Sequence, residues 1–175
     1  MKLTAESVLP FPRELVYRAY RDRLVELVPF LPNVRAIEIK SRKDEPPVAT
    51  LVNEWHGGGD IPAAVRTVLS EKMLSWLDYA RWDESKWTCE WRMETNSFPG
   101  ALDARGTNRF LERDGKTTLI VDGDLTIDGR KLPVPRLLGG TVAAAAEKFL
   151  VAVVRPNLVE TAKALTRFLE AEAKK

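Results

Sequence analysis

The chain has 175 residues, 45% of them hydrophobic and 30% charged, a balance that suits one globular domain over 1–175 and excludes a disordered or fibrous chain. Its 27 basic and 25 acidic residues nearly cancel to a formal +2, and they are spread along the chain, so no basic stripe points to nucleic acid. Cys89 is the only cysteine, which excludes an internal disulfide and a cysteine-based zinc site.

The N-terminal MKLTAESVLP lacks the apolar core of a signal peptide, and no stretch approaches the ~20 apolar residues of a membrane span, so a cytoplasmic location is expected. Lys2 to Leu9 reads as a strand closed by Pro10 and Pro12, and a helix starts near Pro12. From Arg13 to Leu31 the apolar positions Leu15, Ala19, Leu24, Leu27, Val28 and Leu31 follow helical spacing. Asp22 is expected to divide this stretch by capping a second short helix. Arg13, Arg18, Arg21 and Arg23 give it a basic side, diluted by Glu14, Asp22 and Glu26, which reads as a solvated face or a contact for an anionic lipid surface.

Val34 to Ser41 and Val48 to Trp55 are two strands joined by the loop RKDEPP, whose prolines exclude a regular ladder. In HGGGDIPAAVRTVL, the glycines Gly57, Gly58 and Gly59 give a flexible lead and Asp60 can cap. Pro62 suits a first helical turn, and Ile61, Val65 and Leu69 share one apolar face, so a short helix is inserted between strands.

Beyond Met73 the period becomes two. Trp87, Cys89, Trp91 and Met93 alternate with Thr88, Glu90, Arg92 and Glu94, so this strand buries one face. Trp76 and Trp82 flank the strand before it. Leu102, Ala104 and Phe110 mark the next, and Leu119, Val121, Leu125 and Ile127 the last, with Asp114-Gly115 as the hairpin turn. After Pro133 and Pro135, Val142, Ala146, Phe149, Val153, Ala162, Leu165 and Leu169 recur at helical steps in a long helix that Pro156 should kink.

This order predicts an α+β fold in which a curved antiparallel sheet of seven strands lays its apolar face on the C-terminal helix. One helix does not fill a wide curved sheet. A cavity is therefore expected between Trp76, Trp82, Trp87, Trp91, Met93, Asn108, Phe110 and Leu119 of the sheet and Val142, Ala146, Phe149 and Val153 of the helix. For any one tryptophan, plain core is the simpler reading. Asn108 points inward if alternation persists, and outward if a bulge sits at Gly106.

No residue pattern demands a metal or a cofactor. Asp122, Asp124 and Asp128 lack the spacing of a calcium loop, and the three glycines lack a phosphate-binding lysine. His56 is the only histidine and has no acid or base partner in sequence, and Cys89 between two tryptophans reads as core. An enzyme would need His56, Tyr79 or Arg92 to face inward.

The layout, with VPRLLGGTVAAAAEKFLVAVV after a strand meander, resembles the START and Bet v 1-like superfamily over nearly the whole chain. Glu54-Trp55, a glycine, Ile61-Pro62, Trp82-Asp83, Thr95-Asn96-Ser97-Phe98, then Leu137-Leu138 and Thr141 are similar to PRELI-like phospholipid carriers. The resemblance implies a helix-grip fold and a hydrophobic small molecule or lipid held between sheet and helix, and the absence of a paired acid, base or nucleophile among the residues favours a carrier or sensor over an enzyme. The PRELI-like match implies that Ile61 to Leu69 forms a lid over a lipid cavity walled by the final helix; Gly57 to Gly59 read as a hinge beneath that lid or as an ordinary flexible loop, and transient membrane contact is expected of such a carrier. A polyketide cyclase or aromatase, and an adaptor whose groove takes a partner's hydrophobic segment, are the two alternatives.

Overall fold

A computed structural model describes residues 1–58, 61, 70–128, 131, 144, 145, 148, 149, 151, 152 and 160–175. Strand β1 (Lys2–Leu9) leads into helix α1 (Arg13–Asp22) and a 3₁₀ segment, Leu24–Phe30. Strands β2 (Val34–Glu45), β3 (Val48–Gly57), β4 (Ser75–Asp83), β5 (Thr88–Thr95), β6 (Leu102–Arg113) and β7 (Lys116–Ile127) follow, and helix α2 (Thr161–Glu172) comes last. All seven strands form one antiparallel sheet in the order β1-β7-β6-β5-β4-β3-β2. This is the helix-grip arrangement, with the C-terminal helix on the apolar side of the sheet.

Period-two alternation produces that side. In β5, Cys89, Trp91 and Met93 are buried while Glu90 and Arg92 are exposed, as pleated geometry requires. The hairpin between β6 and β7 turns at Asp114 and Gly115, both at positive φ (52° and 70°), the backbone shape that matches the twist of a two-residue turn. Between β2 and β3 the prolines occupy only the turn. Arg42 to Glu45, expected in a loop, extend β2 opposite Val48 to Leu51.

Helix α1 presents Val16, Tyr17 and Ala19 to the core, whereas Leu15, on the expected apolar face, is 47% exposed. Asp22 ends α1 but caps nothing. Its carboxylate accepts from Arg21 (2.9 Å) and from Arg42 on β2 (2.9 Å), tying helix to sheet edge, and the following segment starts without a side-chain cap. Helix α2 buries Ala162, Ala164, Leu165, Phe168 and Leu169 and packs on the 3₁₀ segment, β1 and α1, with Phe30 and Phe168 meeting edge to face at 6.1 Å. Upstream, Phe149 is helical and half-buried. Val142, Ala146, Val153 and Pro156 lie outside the described residues.

Tyr17 is the hub of α1 on the sheet. Its ring meets Trp82, Trp87 and Phe110 edge to face at 5.1, 5.2 and 5.1 Å, a favourable disposition of aromatic quadrupoles. The phenol donates to the Thr88 carbonyl at 3.2 Å. Tyr17→Phe keeps the ring contacts and removes that one hydrogen bond, so a loss of about 1 kcal/mol is expected in urea unfolding; a change near zero would mean that the hydroxyl contributes nothing.

Candidate functional site

Between the middle of the sheet and α1 lies a narrow, closely lined cleft whose free volume is about 30 Å³. Its lining is built by alternation: Leu51, Asn53 and Trp55 from β3; Trp76, Asp78, Ala80 and Trp82 from β4; Cys89, Trp91 and Met93 from β5. Asn108, Val121, Tyr20, Arg21 and Leu24 complete it.

Two glycines seat its central ring. Gly106 and Gly123 stand opposite each other on β6 and β7, and Trp91 lies against both. A Cβ on Gly106 would sit 2.5 Å from Trp91 Cζ2, and one on Gly123 2.8 Å from Trp91 Cη2. With that seat the Trp91 indole reaches sideways to donate to Asn108 Oδ1 at 2.9 Å. The ladder runs through Gly106 without a bulge, so Asn108 faces inward and is buried.

The polar centre consists of two neighbouring rungs of the β3–β4 ladder, Asn53 opposite Asp78 and Trp55 opposite Trp76. The indoles stack at 5.8 Å and 18°. Asn53 Nδ2 donates to Asp78 Oδ2 at 3.2 Å. Asn53 Oδ1, Asp78 Oδ1, Trp55 Nε1 and Trp76 Nε1 are buried and make no hydrogen bond of normal distance and angle, although the Trp55 indole N–H lies close enough to the Asp78 carboxylate to favour its ionised form. Each such atom costs about 1–3 kcal/mol relative to a satisfied one, so four together are a departure from ordinary interiors. Burial pushes the Asp78 carboxyl up to about 6, against the opposing pull of Asn53 and the nearby Trp55 indole. Burial also drives the Cys89 thiol well above its ordinary value, which makes it a core residue and not a nucleophile.

Of the residues expected to line a cavity, Trp76, Trp82, Trp91, Met93 and Asn108 do so. Trp87, Phe110 and Leu119 are placed elsewhere. Trp87 precedes β5, in a turn at φ 54°, where its ring packs on Tyr17 and under the Arg13 guanidinium at 4.4 Å. Phe110 and its ladder partner Leu119 are fully buried, Phe110 beneath Tyr17 and Tyr20, because α1 covers that end of the sheet.

Gly57 and Gly58 are packed. Gly57 ends β3 and donates its N–H to Leu74 O (2.6 Å), while Gly58 donates to Asn33 O (2.8 Å). A Cβ on Gly57 would meet Leu74 O at 3.0 Å and Trp76 Cζ3 at 3.2 Å, so close approach, not hinging, explains that glycine. Ile61 is buried; Gly59, Val65 and Leu69 lie outside the described residues.

His56, Tyr79 and Arg92, which an enzyme would need inside, all lie on the outer face. Tyr79 donates to Glu94 (2.8 Å), and Arg92 pairs with Glu94 and Asp103. Glu38, Glu54 and His56 bring possible ligand atoms within 4.8 Å of one another, but Lys40 already bridges the two carboxylates at 3.5 and 3.0 Å. Residues of the Thr95-Asn96-Ser97-Phe98 segment hold strand ends together: Thr95 donates to Phe98 O (2.8 Å), and Asn96 donates to Glu54 (2.6 Å) and to Ser75 Oγ (3.2 Å).

The fold is the one seen in START and Bet v 1-like structures. Among solved structures, the chain is similar to TTHA0849 from Thermus thermophilus, at 20% identity and a TM-score of 0.67 over 99% of both chains. It is similar to the Zhui aromatase/cyclase from Streptomyces sp. R1128, at 17% identity and a TM-score of 0.66 over 99% of this chain and 94% of that one. A START superfamily protein from Mycobacterium smegmatis matches at 13% identity and a TM-score of 0.50, over 99% and 97%. At these identities the likeness is one of fold. No protein-family model matches the chain, and no curated protein does. Among the described residues no helix is long and apolar enough to cross a membrane.

Proposed function

We propose that residues 1–175 form one ligand-binding domain that holds a hydrophobic small molecule or lipid in the cleft, as a carrier or sensor, with Trp76, Trp82, Trp91, Met93 and Asn108 among its contacts. The observation that carries this reading is the cleft itself, a mouth-open space between aromatic and aliphatic walls on the concave face of the sheet. Burial of apolar ligand surface at about 25 cal/mol per Å² supplies affinity, and the few polar groups supply selectivity.

One observation favours a second reading. Asp78 is a carboxyl pushed up to about 6 inside an apolar cleft, which suits a general acid or base working near neutrality, and a structural neighbour is described as an aromatase/cyclase. A polyketide cyclase-like activity would use Asp78 as the proton-handling group.

Native mass spectrometry of gently purified protein, followed by organic extraction, tests the first reading. A retained apolar molecule is expected; it should persist in His56→Ala, which alters the outer face, and be lost in Trp91→Ala. Purification free of any such molecule, together with failure to take up fatty acids, sterols or polycyclic aromatics, would reject a carrier. Turnover of an exposed polyketide, lost in a folded Asp78→Asn variant, would establish the second reading instead.

A further inference from the structure

The four unpartnered atoms of the polar centre fall into two kinds. Trp55 Nε1 and Trp76 Nε1 can only donate, whereas Asn53 Oδ1 only accepts and Asp78 Oδ1 accepts when the carboxyl is ionised. They belong to adjacent rungs of one ladder, and all four residues line the cleft at no more than 6% exposure. A lone unmet donor would suit an anion, and a lone unmet acceptor a cation. Donors and acceptors side by side suit a group that does both.

Charge narrows the choice further. Asp78 is an acid, and its register partner Asn53 is neutral. Arg21, the cationic residue among the described lining, is already committed to Asp22 at 2.9 Å and to Glu84 at 3.0 Å. A carboxylate or phosphate entering this end would meet Asp78 with no free cation among the described lining residues.

We infer, resting on the ligand-binding reading of the cleft, that the rungs Asn53–Asp78 and Trp55–Trp76 form a recognition site for the hydroxyl group of a neutral apolar alcohol, phenol or enol. The hydroxyl oxygen accepts from an indole N–H, and its proton goes to the Asn53 or Asp78 oxygen. Trp91 and Asn108, already bonded to each other at 2.9 Å, leave the indole of Trp91 to serve as apolar wall. The ligand is thus oriented with its hydroxyl against β3 and β4 and its apolar body toward Met93 and Trp82.

Calorimetry with three probes of one shape tests this at pH 7.5: 2-naphthol, 2-methylnaphthalene and 2-naphthoate. The naphthol is expected to bind at least about tenfold more tightly than the methyl compound, since a site with unmet polar groups rejects the analogue that leaves them unmet; the naphthoate should bind most weakly. In ¹H–¹⁵N spectra the indole N–H signal of Trp55 or of Trp76 should move downfield with naphthol, and neither with 2-methylnaphthalene. The double variant N53L/D78L should bind naphthol no better than 2-methylnaphthalene; should it fail to fold, the wild-type ranking and the indole shifts decide alone. Equal affinity for naphthol and 2-methylnaphthalene, or tightest binding of naphthoate, would overturn the inference while leaving the cleft a binding site. Binding of none of the three would remove the cleft reading and the hydroxyl site together.

Discussion

At pH 8 the Asp78→Asn variant will be more stable than the wild-type chain by about 3 kcal/mol, and the difference will shrink toward zero as the pH falls below 4. The folded-state carboxyl is raised from 3.8 to about 6, so between those values the native chain holds a proton that the unfolded chain has released. Stability from this group is therefore fully present below pH 4 and is lost as pH rises through 6. A displacement of about two units corresponds to about 3 kcal/mol. Asparagine resembles the protonated acid in shape and keeps a partner for Asn53. Carboxylates held low by arginines or lysines, such as Asp44 beside Arg42 and Asp124 beside Lys2, weaken both proteins alike in acid and cancel in the comparison. Urea midpoints measured from pH 4 to 8 check this: parallel curves for the two proteins would mean that burial does not perturb Asp78.

Gly106→Val is expected to cost more than about 3 kcal/mol, beyond the usual range for overpacking. Even the first added carbon meets Asp122 O at 2.4 Å and Trp91 Cζ2 at 2.5 Å. The indole can swing away only into the cleft, breaking its bond to Asn108 and filling the space where a ligand would lie. The carbonyl belongs to β7 and moves only with the ladder. Adding Trp91→Leu should therefore restore part of the stability of Gly106→Ala, not all of it. Thermal unfolding of the single and double variants measures the split; a Gly106→Val protein that melts with the wild type would show that the seat is not tight.

Much of the fold was legible in the residues because its signals are local. Alternation around Trp91, the prolines closing the first strand and the Asp114-Gly115 turn each act within a few residues, and together they mark the strands along the chain, but not the pairing of β1 with β7. The site was legible only in part. Trp76 and Trp82 share a parity that puts Asp78 on the same inward face, yet an acid in a strand reads as solvent-facing, and no local feature pairs it with Asn53 on another strand. Trp87 continues the alternation of β5 in sequence, but the turn at its positive φ ends the strand first. Phe110 and Leu119 do face inward. Phe110 misses the cleft because Tyr17 and Tyr20 of α1 lie over it, a long-range contact that strand periodicity does not encode.

The pairing of β1 with β7 sets an order of events during synthesis. Lys2 stands opposite Asp124, 122 residues further on, and closing a loop of that size costs about 4 kcal/mol of chain entropy beyond a constant. Strands β2 to β7 pair each with its neighbour in sequence and can zip as a meander while the chain emerges. β1 cannot pair until β7 has been made, and until then Leu3 and Leu9, both buried in the finished sheet, lack their place in it. A nascent chain stalled before Lys116 would hold β1 unpaired with Leu3 and Leu9 exposed, and unpaired strand edges are what aggregation recruits.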